Sequence, residues 1–376
     1  MNPHDVKRTR LFFIDNVRVF LIVLVIAFHA GAPYAGVPWY TIPSETTLLS
    51  EFVLGWFLTF CLAFFLGFFF MIAGYFTPGS YDKKGSITFL KDRFLRLGVP
   101  LIFFLFVVMP SFRYFLYWLD VYSCDHLSYW EFIVSEYYWE THHLWFVVNL
   151  LLFTGSYWVW RLVQKSVKTE MNLKVPGNKT IFFLTMLLAV VTFVVRIWYP
   201  IGWWDPLKLV EPAYLPQFAG LFVIGVIAYR NNWFLELPTS VGITWLRIGI
   251  ITSLLFPLLY VVGEGKFSSF IGGFYWKPFV FAFWEAFLCY GMCFGLLVLF
   301  REKFNSQEGL GKALSSDVYT VYLIHITIVV SIQYMLIDVS LHPLLKVIFV
   351  ILAAVPLSFL ASHYVVRRLP LARKVL

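Results

Sequence analysis

Ten stretches of about twenty apolar residues recur along this chain, separated by short segments rich in Pro, Gly and basic residues. A stretch of that length crosses the roughly 30 Å hydrocarbon core of a bilayer as a helix, which satisfies its own backbone where no water can. The stretches run approximately 12–34, 51–76, 98–118, 144–163, 180–199, 213–229, 241–262, 278–300, 318–337 and 343–366. Breakers part them, among them Pro38, Pro43, Pro78-Gly79, Pro176-Gly177, Pro238 and Gly263 to Gly265. The expectation is an all-α, polytopic membrane protein with ten transmembrane helices. Composition agrees, since 60% hydrophobic residues with 42 Phe, 21 Tyr and 15 Trp exceed what a soluble interior of 376 residues hides. Trp39-Tyr40, Trp198-Tyr199 and Trp203-Trp204 fall at stretch ends, as an interfacial belt requires.

Charge sets the orientation. Twenty-two Lys and Arg residues flank one side of the ten stretches against six on the other, which places both termini in the cytoplasm. The net charge of +8 is therefore a topology signal. Nucleic acid is not an expected partner, because the basic residues punctuate apolar runs instead of interleaving with stacking aromatics in a polar patch. The whole of 1–376 reads as a single transmembrane domain in the cell (plasma) membrane, with lipid around it. Asp15 and Arg18 inside the first stretch favour a retained helix over a cleaved secretory signal. Of four cysteines, Cys61, Cys289 and Cys293 lie in apolar runs and Cys124 in a polar loop, so no disulfide framework and no metal site is expected. Cys289 and Cys293 share a helix face at i, i+4 as small packing residues.

Charged side chains at membrane depth cost at least about 2.5–3.5 kcal/mol on insertion scales, so each one asks for a reason. Asp15, Arg18 and His29 fall on one face of the first helix at 100° per residue, with His29 roughly 16 Å beyond Arg18 along the axis. Asp15 and Arg18 at i, i+3 can pair; the shared face favours a polar path inside the bundle over a lone interfacial histidine. Arg93 and Arg96, one turn apart at the entrance of the third stretch, form either a fork for a polyanion or an anchor on lipid headgroups. His143 and Trp145 open the fourth stretch, as loop and belt residues or as a surface for a substrate on the far side. Ser315-Ser316-Asp317 reads as a cap for the ninth stretch, followed by the stripe Tyr319, Tyr322 and His325 at i, i+3, i+6. Glu285 in the eighth stretch reads as an isolated buried carboxyl with no catalytic role.

In this order the motifs resemble the acyltransferase 3 family of integral membrane O-acyltransferases. The matching residues are Ile14-Asp15-Asn16-Val17-Arg18 with His29, the segment ending Ala73-Gly74-Tyr75-Phe76, Arg93-x-x-Arg96-Leu97, His143-Leu144-Trp145-Phe146, and Tyr319-x-x-Tyr322-Leu323-Ile324-His325. Their style is nearest the glucan-modifying branch. Ala73-Gly74 stands where many members have Ser-Gly, and no appended extracytoplasmic hydrolase-like domain is present in the sequence. The resemblance implies transfer of an acyl group from cytoplasmic acyl-CoA to a hydroxyl of a cell-surface glycan or glycolipid, as in O-acetylation of envelope polysaccharides. It implies a catalytic role for His29, with Asp15 and Arg18 keeping its surroundings polar and oriented, and a donor-binding role for Arg93 and Arg96. His143, Trp145, Tyr322 and His325 are the expected substrate contacts. No permanently bound cofactor is expected, acyl-CoA being a substrate. The rival reading is a transporter or exporter of a polysaccharide precursor or acyl donor, which predicts two matching halves with broken helices; the sequence offers no counterpart of the Asp15, Arg18, His29 pattern in its second half.

Overall fold

The computed structural model describes residues 10–37, 40, 42, 46–119, 127–164, 173–370 and 372–375. Cys124, Trp39, Pro38, Pro43, Lys7, Arg8, Lys165 and Lys168 lie outside the described residues. The elements are all helical. Ten segments are long and apolar enough to span a bilayer: Phe12–Gly31, Leu48–Lys84, Ser86–Leu119, His142–Val163, Asn178–Trp198, Pro212–Arg230, Thr239–Val262, Trp276–Lys303, Gly309–Met335 and Pro343–Arg368. Each coincides with one of the ten apolar stretches, and they are numbered as spans 1 to 10 below. Arg10 and Val375 line one cavity, so both described chain ends meet at the same end of the bundle, called the near end here.

Several boundaries differ from the sequence expectation, for physical reasons. Span 9 starts at Gly309 after Glu308, so Ser315-Ser316-Asp317 is not its cap but lies two turns inside the helix. Asp317 is buried because span 10 brings it partners: His363 Nδ1 at 3.0 Å and Arg367 Nη1 at 2.8 Å. Pro78 does not end span 2, since the helix runs through it to Lys84. The segment 77–97 between the second and third apolar stretches is helical apart from Gly85, whose φ of 77° turns the chain into span 3. Span 3 widens into π-helical turns at Phe94–Gly98 and Phe104–Val108. Pro100 and Pro110 follow directly, and a wider turn accommodates a ring that cannot donate to the ladder.

Span 2 breaks at mid-length between the helices Leu48–Leu62 and Phe65–Lys84. Its freed carbonyls are satisfied inside the protein: Gln217 Nε2 of span 6 donates to Ala63 at 2.6 Å, and Cys293 Sγ of span 8 lies 3.9 Å from the Phe64 oxygen. Thus Cys293 packs as a small residue and also serves a helix end. Spans 2 and 6 approach so closely that a Cβ built on Gly74 would lie 2.1 Å from the Phe222 carbonyl oxygen, and one on Gly225 2.0 Å from that of Met71. Lipid offers helices no hydrophobic drive to associate, so backbone contact through small residues supplies the packing. Glu285 is not isolated. Arg196 Nη1 lies 2.6 Å from its Oε2, both side chains are buried, and Arg196 also stacks over Tyr214 at 5.1 Å.

Candidate active site

At the near end a cavity of about 450 Å³ opens between spans 1, 2, 3, 4 and 9. Its mouth carries Arg10, Arg18, Arg93 and Arg96 around the single carboxylate Asp15. Asp15 accepts from Arg10 Nε at 2.7 Å and lies 3.4 Å from Arg18 Nη1, which fixes the i, i+3 pair foreseen in the sequence. Arg96 is held by Asp92 at 3.1 Å, and Lys84 shares that carboxylate at 2.6 Å. Arg93 stacks over Phe89 at 5.2 Å and has no ion-pair partner among the described residues. The two arginines share the cavity, but Arg93 alone keeps its full charge uncommitted. Arg10 joins them unforeseen, its place two residues before the first apolar stretch marking only topology in the sequence. Deeper, the walls become apolar and aromatic, with Val25, Leu66, Phe69, Ala73, Phe146, Tyr319 and Tyr322.

At the opposite, far end a second cavity of about 610 Å³ is lined by His29, His143 and Trp145 together with Tyr40, Arg113, Glu140, His142, Trp204 and Lys208. Trp145 stands edge-on to Trp204, ring centres 5.7 Å apart, and stacks on Phe218 at 5.8 Å. Its position makes it a cavity wall and not only a belt residue. Of these residues Arg113, Glu140 and Lys208 were not singled out by the sequence, and Tyr40 and Trp204 stood out only as belt aromatics; Arg113 was signalled only as the lone cation in the far half of span 3.

Between the cavities three histidines from spans 1, 4 and 9 converge. The His29 and His325 ring centres are 5.0 Å apart, and those of His143 and His325 5.3 Å. His325 lines neither cavity; it is fully buried behind His29. Its Nδ1 lies 2.6 Å from the Tyr322 carbonyl, an oxygen that can only accept, so the His325 proton is on Nδ1 and its Nε2 is an acceptor. That Nε2 is 3.2 Å from His29 Nδ1, which is also 2.9 Å from the Val25 carbonyl. Two acceptors facing one nitrogen place the His29 proton on Nδ1 and its lone pair on Nε2. His143 is oriented by its Nε2 contact with the Leu323 carbonyl at 3.2 Å, while the Tyr322 hydroxyl donates to the His143 carbonyl.

The lining of the near cavity ends on span 1 at Val25, one helical turn below His29, and His29 itself lines the far cavity. Tyr322 and Phe146, ring centres 5.5 Å apart, close the near cavity there, and the hydroxyl bond from Tyr322 to span 4 ties the partition together. Tyr322 therefore faces the arginine mouth, and His143, Trp145 and His29 face the other side. Among the described residues no group of three or more His, Cys, Asp or Glu is arranged to hold a metal ion.

Residues 11–363 match the family described as "Acyltransferase domain". The chain belongs to the acyltransferase 3 family. It is a multi-pass membrane protein of that family. Among curated proteins, this chain is similar to the glucans biosynthesis protein C of Escherichia coli strains K12 and SMS-3-5, at 26% identity over 249 residues, 61% of this chain and 60% of each relative. The matched part thus spans about three fifths of the length of those relatives. No solved structure matches.

Proposed function

We propose that this acyltransferase moves an acyl group from acyl-CoA, bound at the near end, to a hydroxyl of a carbohydrate in the far cavity, and that the near end faces the cytoplasm of a bacterial-type cell membrane. The observation that carries the reading is the contact chain from the Tyr322 carbonyl through His325 to His29 Nδ1, at 2.6 and 3.2 Å, with His29 lining the far cavity. The arginine mouth suits the phosphates of a coenzyme A donor, with Arg10 and Arg18 beside the expected Arg93 and Arg96. Trp145 and Trp204 offer flat faces for sugar rings. Glucans are the acceptor class suggested by the printed name of the relatives.

In this mechanism the acceptor hydroxyl attacks the thioester carbonyl while His29 Nε2 takes its proton. The tetrahedral intermediate then expels the thiolate, and the imidazolium returns the proton to it, giving ester and free thiol. Positioned general-base catalysis of this kind contributes roughly 10²–10⁴-fold. Asp15 and Arg18 stand a cavity's length from the imidazole, and their part is to hold the donor mouth together. Tyr322 and Phe146 must yield for the thioester arm to reach His29. The exporter alternative gains nothing from the break in span 2, because its carbonyls are bonded by Gln217 and Cys293 and line no path. The test is transfer of a radiolabelled acyl group from acyl-CoA to a glucan oligosaccharide by purified protein. His29→Ala should abolish transfer with folding intact; retained transfer refutes the assignment.

A further inference from the structure

Span 1 ends at Gly31, two residues beyond His29. The last four carbonyls of a helix find no donor within it. For His29 the loss is written into the sequence, because the donor four residues on would be Pro33, which has no N–H. Ala30 and Gly31 are buried, so the carbonyls of this helix end need partners from elsewhere in the protein.

The partner is Gln333 of span 9, a side chain with no exposed surface. Its Nε2 donates to the His29 carbonyl at 3.0 Å and to the Ala30 carbonyl at 3.1 Å. Its Oε1 has no hydrogen-bond partner among the described residues, so the bonding of this amide there is directed at span 1. Gln333 lines neither the near nor the far cavity.

Span 9 thus holds His29 twice, the ring through His325 Nε2 at 3.2 Å and the main chain through Gln333. The ring is also tied back to its own helix, since Nδ1 lies 2.9 Å from the Val25 carbonyl one turn earlier. A ring fixed to its own helix goes where that helix goes. Its placement against His325 and the far cavity is therefore set by how the end of span 1 sits on span 9.

From the amide that stands in for the N–H missing at Pro33, we propose that Gln333 is a positioning residue for acyl transfer, acting through the main chain of His29 to hold its imidazole at the far cavity. The proposal rests on the acyl-transfer reading and adds to it the device that keeps the base in place. A misplacement of about 1 Å at a reacting group can cost on the order of 10²-fold in rate, so the seat of this helix end matters to the chemistry.

The experiment starts from Gln333→Met, which keeps the bulk of the side chain and removes both donors. Its kcat should fall at least about tenfold with the donor KM unchanged. Gln333→Asn, which keeps the amide but withdraws it by a methylene, should show the same split with less disturbance to packing. Ala32 is helical, with φ −52° and ψ −53°, so an N–H introduced at position 33 points along the ladder towards the His29 carbonyl. Pro33→Ala should therefore leave the wild-type rate unchanged, and Gln333→Met/Pro33→Ala should recover most of the lost kcat. A merely structural glutamine predicts a lowered Tm with kcat per folded molecule intact, and that result overturns the proposal, as does failure of Pro33→Ala to rescue.

Ring ¹⁵N resonances of His29, assigned by their loss in His29→Ala, read the placement without catalysis. They should shift or double in Gln333→Met and Gln333→Asn and return in the rescued variant. Resonances that move and return in a protein showing no transfer at all would sink the acyl-transfer reading and leave the positioning contact standing. Resonances unmoved by either substitution sink the proposal whatever the rates.

Discussion

Replacing His325 by leucine removes the acceptor that faces His29 Nδ1 and keeps the pocket apolar. The bond lost is a neutral one of 3.2 Å, and the Val25 carbonyl at 2.9 Å remains to hold the His29 proton in place. A net contribution of about 1 kcal/mol for such a bond corresponds to roughly a fivefold change in rate. The expected outcome of His325→Leu is therefore a fall in kcat of about five- to tenfold with the donor KM unchanged, measured by single-turnover transfer of labelled acyl groups at saturating acceptor. His325→Gln, whose amide oxygen can accept from His29, should recover most of the loss. By contrast, His29→Ala removes the base itself and the 10²–10⁴-fold it supplies. The reasoning fails if His325→Leu is as damaging as His29→Ala, since His325 would then be the base, or if it changes nothing, since the pair would then have no orienting role.

Other expectations concern the scaffold. Gly74→Ala drives a methyl into the Phe222 carbonyl of span 6, so it should cost about 1–3 kcal/mol or more, seen as a lowered Tm in detergent. Glu285→Ala leaves a buried guanidinium unpaired and should destabilise by about 3–5 kcal/mol, whereas an Arg196→Met/Glu285→Leu double variant should return near wild-type Tm. Burial pushes the Glu211 carboxyl up to about 7 from 4.5, against the opposing pull of the Gly202 N–H and Arg196. Its proton is bound more tightly in the folded protein, so the stability it brings is complete below pH 4.5 and is lost as the pH rises through 7. Allowing for partial exposure, that loss is about 1–3 kcal/mol, and Glu211→Gln should remove it from a Tm profile over that range.

The ten spans were legible because hydropathy over twenty residues is a strong, local signal, and the Asp15–Arg18 pair because i, i+3 spacing needs only helical geometry. What the sequence hid depends on distant partners. Span 9 starts well before its apolar run because Asp317 gains His363 and Arg367, which no local pattern announces. The break after Leu62 carries no Pro or Gly; it is made possible by Gln217 and Cys293 from other spans. His29, His143 and His325 were each visible as unusual residues, yet their convergence requires knowing that spans 1, 4 and 9 are neighbours. Glu285 looked solitary for the same reason, its counter-ion lying on span 5.

The ring of Tyr322, hooked by its hydroxyl to the neighbouring span, also bears on energy conservation in the host. A bilayer that stores a voltage and a proton gradient would be short-circuited by any standing pore wide enough for a pantetheine arm. In the proposed reaction the Tyr322–Phe146 pair between the two chambers would part only while an acyl group is handed across, so that solvent and ions are refused at rest.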